Sequence, residues 1–254
     1  MTYKYGSSFV EADPASGNNV LGCVLDVQNP KSYPGSGTDV KNLGTQLAYS
    51  SGDTIKGVLG SEMTVPTNPL RFKTNTVNSA SNDDYNINLV DALDDGAESF
   101  YFADETAWSQ EMVVKIVSGQ TSYHSLTGRS ATRPWWSLYV TNDTNWIIRY
   151  RTNPSGVYKD STTQTTDLSE WHHLTLTCAT DRTLSFYSNG QLINSVDGVN
   201  TYCQVSRVGG GYICCSGAAY HNLRGEFLYY RLYNKTLTAN EVNQNYGAAL
   251  GRMI

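Results

Sequence analysis

The chain has 254 residues, a formal net charge of -5 and only 16% charged residues. Lys and Arg form no run that could neutralise a row of phosphates, no segment reaches the ~20 apolar residues of a membrane span, and residues 1–8 lack the apolar centre of a secretion signal. These features predict a soluble protein with neither a nucleic-acid nor a membrane partner. Gly, Ser, Thr, Asn and Tyr are abundant while runs of strong helix formers are scarce, an all-β composition. Sandwiches of about 200 to 250 residues are routinely single domains, so one domain with a decorated edge is expected.

Residues 1–19 are polar, aperiodic and end in turn formers, and read as an extended N-terminal arm that the core of a domain over 20–254 does not need. Such an arm could tether the domain to a neighbouring chain. Residues 20–27, Val-Leu-Gly-Cys-Val-Leu-Asp-Val, form a continuous apolar run, the pattern of a strand buried on both faces. It is expected to pair centrally with a strand near the C-terminus. The stretch 29–38 is rich in turn residues and holds Pro30 and Pro34. Residues 61–90 are polar, with Pro66, Pro69 and a Ser-Ala-Ser-Asn-Asp-Asp cluster, and predict a long loop insertion with short strands.

Strands are then expected at 99–102, 110–117, 136–140, 146–151, 171–178, 183–188, 191–195 and 207–208. Asn189-Gly190 between two of them is a strong hairpin signal, because a type I′ turn needs two residues tolerant of positive φ. Near the end, Gly225 opens an aromatic and aliphatic run, and Thr238 with Glu241 three residues later forms a capping box for a short helical turn. That turn can bury Val242 and Tyr246, an i, i+4 pair.

The five cysteines include no metal-type pair spaced by two residues, and the neighbours Cys214 and Cys215 cannot easily bridge each other. Cys23, Cys178 and Cys203 sit among apolar strand residues. All five read as reduced thiols of a protein folded in a cytoplasm.

Trp171-His172-His173-Leu174-Thr175-Leu176-Thr177, followed by Leu184-Ser185-Phe186-Tyr187-Ser188-Asn189-Gly190, resembles the central pattern of LamG-like domains, the concanavalin A-like jelly rolls. The terminal strand, turn and capped helix fit the same pattern. More narrowly, Ser32-Tyr33-Pro34-Gly35-Ser36-Gly37-Thr38 and Glu241-Val242-Asn243-Gln244-Asn245-Tyr246, with Gly251-Arg252 after it, resemble versions carried on tailed-phage virion proteins. The Trp that usually follows the first motif is absent. The resemblance implies an all-β jelly-roll sandwich and a structural protein on a phage particle, as a head decoration, head fibre or tail-associated knob. It also implies other virion proteins as partners and several copies or a homo-oligomer per particle. A carbohydrate-binding module that contacts host-surface glycans is the alternative.

The concanavalin A-like fold also hosts glycoside hydrolases, which on this fold place paired carboxylates at alternating positions of one strand. No Glu-x-Asp-x-Glu occurs, and Glu111 stands alone on its strand. The sequence therefore predicts no enzyme. His172 and His173 point to opposite faces of a strand and cannot chelate one ion, so one packed and one exposed histidine is expected. Asp91, Asp94 and Asp95, with Glu98, lie in a Gly/Ala loop where hard oxygen ligands could hold calcium, and they are the metal candidates. Trp135, Trp136, Trp146 and Tyr150 are the candidates for contact with a glycan or partner, since period-two alternation would leave some rings facing outward. Arg129, Arg133, Arg149 and Arg151 cluster nearby and read as solvated or interface arginines.

Overall fold

The computed structural model describes residues 8–11, 21–44, 55–61, 63–67, 70–74, 87–91, 100–117, 122–128, 135–142, 144–151, 157–198, 201–205, 207–208, 210–211 and 221–253. In chain order the strands begin with β1 (Leu21–Asp26), β2 (Asp39–Val40), β3 (Ile55–Leu59), β4 (Phe72–Lys73), β5 (Ile87–Asp91), β6 (Phe100–Phe102), β7 (Trp108–Ile116), β8 (Ser122–Gly128) and β9 (Trp135–Asn142). They continue with β10 (Asn145–Arg151), β11 (Tyr158–Asp160), β12 (His172–Cys178), β13 (Thr183–Ser188), β14 (Gln191–Asp197), β15 (Cys203–Val205), β16 (Arg207–Val208), β17 (Gly210–Gly211), β18 (His221–Asn222) and β19 (Gly225–Tyr233). One helix, α1 (Ala239–Leu250), follows.

Two antiparallel sheets form the sandwich. The first runs β1-β19-β7-β12-β13-β14, with β4 also on β19, and the second runs β11-β10-β9-β8-β16-β5-β3-β2. Alternation sends Leu25, Met112, Leu174, Leu176, Phe186, Phe227 and Leu232 of the first sheet against Trp136, Leu138, Trp146, Ile148, Ile87 and Leu89 of the second, in one buried cluster. Polar contacts cross this core. The Gln110 carbonyl accepts from the Thr127 hydroxyl at 2.9 Å and from the Tyr230 hydroxyl at 3.1 Å, which ties a second-sheet strand to two strands of the first.

The outer face of the first sheet is buried as well where α1 crosses it. Helix α1 lays Val242 into a cluster with Val24, Tyr187, Tyr233 and Leu237, while Ala249 joins Val113, Leu228 and Tyr229. This explains why β1 and β12 are buried along their whole length, and why the apolar run at the start of the chain shows no alternation. The expected capping box starts α1: Thr238 Oγ1 accepts from the Glu241 N–H, and Glu241 accepts from the Thr238 N–H at 2.8 Å. The helix continues for 12 residues, longer than the single turn expected, and buries Asn245, Ala248 and Ala249 beyond Val242, with Tyr246 half-buried.

β1 pairs β19 as expected, but at the margin of its sheet and not in the centre. A loop seals that margin. The Leu43 N–H donates to Val24 O at 3.1 Å and Asn42 Oδ1 accepts from the Val24 N–H at 2.8 Å, so the outward ladder groups of Val24 at the middle of β1 are satisfied. Gly44 lies so close to the Gly22 backbone that any Cβ there would overlap it. The Asn189-Gly190 turn also forms as expected, with φ of 49° and 77°.

Residues 8–11, the described part of the segment read as a free arm, pack on the chain's own body. Val10 is buried and its N–H donates to Asn245 Oδ1 at 2.8 Å, while the Gln244 amide donates to Ser8 O at 2.6 Å. Phe9 meets Tyr229 edge-on at 5.4 Å and lies 3.3 Å from the Arg231 guanidinium. Hydrogen bonds from the helix and a ring over a buried cation together fix this segment in place.

Candidate binding face

Three of the four aromatic contact candidates belong to the core. Trp136, Trp146 and Tyr150 are buried, with the Tyr150 hydroxyl donating to Tyr202 O at 2.7 Å and the Trp146 indole N–H donating to Thr166 O at 3.0 Å. The alternation anticipated from sequence holds, but these rings take the inward positions. A sandwich this broad fills its interior with its largest side chains. Trp135 stands in register opposite Arg151, and its side chain lies outside the described residues. Asp91 ends β5, again with an undescribed side chain, and Asp94 and Asp95 lie outside the described residues altogether. Among the described residues no three His, Cys, Asp or Glu side chains converge as a metal site.

The histidines correct another expectation, because both are buried. His172 faces inward, where it meets Trp146 edge-on at 5.4 Å and its Nε2–H donates to Asp167 O at 2.8 Å. Burial pushes its pKa below the usual histidine value, against the raising effect of the Asp167 carbonyl. His173 faces the other way, where α1 covers what would otherwise be solvent-exposed sheet.

Beneath α1, His173 Nε2 lies 3.3 Å from Glu111 Oε1, and both side chains are fully excluded from solvent. Glu111 Oε2 accepts from Asn245 Nδ2 at 2.6 Å and from the Tyr233 hydroxyl at 3.2 Å. Burial pushes the Glu111 carboxyl up, but His173, the Arg231 charge and the Asn245 amide together outweigh it and hold the group below its ordinary value. This carboxylate is therefore ionised, anchored through Oε2 and closed to substrate, while Oε1, which faces His173, has no hydrogen-bond partner. It serves the packing of α1.

The outward positions of β9, β10 and β11 present a different surface. Arg149 projects between two tyrosines, its guanidinium 5.0 Å from the Tyr139 ring centroid and 4.8 Å from that of Tyr158. Its Nε and Nη2 both donate to the Asp160 carboxylate, at 2.7 and 2.6 Å. The bidentate fork fixes the guanidinium plane, and the plane in turn orients both rings. Tyr158 remains 40% exposed, with Val157 beside it at 44%. On the same face Ser125 and Ser137 pair across β8 and β9, and their buried hydroxyls have no hydrogen-bond partner.

Chemically, this face offers fixed aromatic surface, a positioned cation and a carboxylate acceptor. Tyr158 and Asp160, which hold Arg149 from the other side, lie on β11, and the pairing of that short strand with β10 is not legible from local sequence pattern.

The sandwich with its capped C-terminal helix defines a lectin-type jelly roll. The chain belongs to the concanavalin A-like lectin/glucanases superfamily, whose Laminin_G_3 profile matches residues 92–243, more than half of its length. Among solved structures it is similar to the botulinum neurotoxin type G receptor binding domain, with a TM-score of 0.54 and 12% identity over 90% of this chain and 51% of that one. It is similar too to the binding domain of botulinum neurotoxin DC in complex with SialylT, with a TM-score of 0.56 and 12% identity over 89% and 51%. A third likeness, with a TM-score of 0.54 and 12% identity over 89% and 51%, is to a botulinum neurotoxin type C structure concerned with interaction with two ganglioside molecules. At these identities the likeness is one of fold, and the chain spans about half the length of each of these proteins. No curated protein matches the sequence.

Proposed function

We propose that the chain is a non-enzymatic recognition module that binds saccharides through the outward face of β9, β10 and β11. The observation that carries this reading is the Tyr139–Arg149–Tyr158 stack locked by Asp160. Sugars offer an apolar ring face to aromatic side chains and hydroxyls to charged and amide groups, and a site already held in place loses little freedom on binding. The solved structures of similar fold include one bound to SialylT and one concerned with gangliosides, which supports the same reading. No described strand carries two carboxylates at alternating positions, and Glu111 is sealed beneath α1, which supports a binder over a hydrolase. A glycan array probed with the purified chain tests the reading. Selective binding to a set of related glycans is expected, and an array without signal above background contradicts it.

The particle on which such a module would work is suggested by the motifs at residues 32–38 and 241–252, which resemble phage-borne LamG-like domains. We infer a place on the surface of a tailed-phage particle, where the module serves as a decoration, fibre or tail-associated knob and contacts other virion proteins. The buried free thiols Cys23, Cys178 and Cys203 suit folding in the reducing cytoplasm of an infected cell. Immunogold labelling of purified particles should decorate their exterior. Labelling confined to cell debris contradicts the assignment.

A further inference from the structure

The turn-rich stretch 29–38, which the binding face does not use, builds a second concave surface at the opposite margin of the second sheet. Ser32 pins it. Its N–H donates to Asn29 O at 2.8 Å, its Oγ donates to Lys41 O at 2.7 Å and accepts from the Asp26 N–H at 3.0 Å, and the Lys41 N–H returns to Ser32 O at 2.7 Å. Tyr33 is buried edge-on against Phe72 at 6.0 Å, with its hydroxyl donating to Gly37 O at 3.2 Å. Gly35 and Gly37 take φ of 91° and 83°, which residues with side chains rarely adopt. The loop is therefore held in one shape before any ligand arrives.

Between this loop and the β2–β3 margin lies a groove of about 380 Å³, which is within the size range of small-molecule sites. Pro30 and Pro34 give it apolar walls, and Lys31, Lys41, Lys56 and Asp39 supply its charge. Three ammonium groups against one carboxylate reverse the sign of a chain whose net charge is -5. Asp39 is taken by Lys56 at 3.2 Å. Lys31 and Lys41 have no carboxylate partner among the described residues, although their backbones are fixed by the loop's hydrogen bonds.

We propose that this groove binds the carboxylate of an acidic sugar residue. Lys31 and Lys41 supply two point charges on a rigid frame, and the proline rings with the lysine stems give apolar walls for the C–H face of the sugar. That the anion is carried by a saccharide rests on the glycan-binding reading above, while the charge and the shape of the groove stand apart from it. A carboxylated glycan would meet the protein here, at a site separate from Tyr139 and Arg149.

Calorimetric titration of the intact chain with oligogalacturonate tests the proposal, with inorganic phosphate and a neutral oligosaccharide of equal length as comparators. Saturable uronate binding that weakens as NaCl rises is expected, and Lys31→Glu with Lys41→Glu should lower the affinity about tenfold, as loss and reversal of two exposed charges imply. Both side chains are on exposed residues, so the double variant should melt like the parent. Tyr139→Ala should leave uronate binding at the groove intact. Absence of saturable uronate binding, or binding unchanged by the double charge reversal, overturns the assignment. Phosphate binding without uronate binding overturns its saccharide part. Neutral-glycan binding through Tyr139 without uronate binding removes the groove alone, whereas uronate binding without any glycan response at Tyr139 removes only the face.

Discussion

His173 Nε2 lies 3.3 Å from Glu111 Oε1 with no solvent access to either side chain, directly beneath the helix that ends the chain. The pair does more than join two strands, since Asn245 brings α1 onto the same carboxylate at 2.6 Å. Replacing Glu111 by Gln leaves Arg231 buried without this counter-charge, a loss of about 3 kcal/mol by comparison with broken buried pairs. The folded-state pKa of Glu111 lies below its unfolded value, so its contribution is complete above the ordinary 4.5 and disappears as pH falls through the lower folded value. Urea unfolding at a series of pH values should show the parent losing stability across that acid window and Glu111→Gln losing less there. Equal slopes for the two proteins would contradict the role given to the pair.

His172 adds a second acid-sensitive term at higher pH. Its pKa in the folded chain is pushed below 6.5, so the unfolded chain binds a proton first and stability declines as pH drops from 6.5 toward the folded value. A His172→Gln variant, which keeps an amide donor toward Asp167 O, should be flatter over that interval in the same unfolding series. A variant as steep as the parent places the titration elsewhere.

Phe9 and Val10 make residues 8–11 part of the folded body. Phe9→Ala removes a ring that covers Arg231 and meets Tyr229, and is expected to cost about 2 kcal/mol, below the range for a fully buried Phe because Phe9 is only partly enclosed. The thermal midpoint should fall accordingly. An unchanged midpoint restores the picture of an arm that the domain does not need.

Much of the fold was legible in the sequence because its signals were local. The Thr238–Glu241 capping box, the Asn189-Gly190 turn and the apolar run of β1 each depend on a few adjacent residues. β8 was missed because Ser-Tyr-His-Ser-Leu-Thr-Gly shows no apolar alternation: His124 and Thr127 fill buried positions through hydrogen bonds, with Thr127 donating to Gln110 and His124 Nδ1 accepting from the Arg224 N–H at 3.2 Å. The inward choice of Trp136, Trp146 and Tyr150 was equally hidden, because period two fixes which residues share a face and says nothing about which face is the core. The burial of His173 and the docking of Phe9 depend on α1 closing over the first sheet, a contact between segments more than 60 residues apart in sequence.

Cys23, Cys178 and Cys203 are free and buried. Burial pushes the Cys178 thiol up to about 11 and raises Cys23 and Cys203 well above the ordinary thiol value, so none is a thiolate near neutrality. A thiol reagent at pH 7.5, where roughly a tenth of ordinary thiols are ionised, should leave these three unlabelled in the folded protein. After denaturation without reductant it should label all five. A shortfall of two in the denatured sample would reveal a disulfide.

The central claim is that saccharide recognition resides on the Tyr139–Arg149–Tyr158 face, and affinity measured for one array-selected glycan against the parent, Tyr139→Ala and Tyr158→Ala tests it most directly. Loss of a stacking ring should weaken binding by about tenfold in each variant, on the order of 1 to 1.5 kcal/mol for an aromatic contact, with the thermal midpoints within a few degrees of the parent. Unaltered affinity in both variants, with the glycan still bound, would contradict the account.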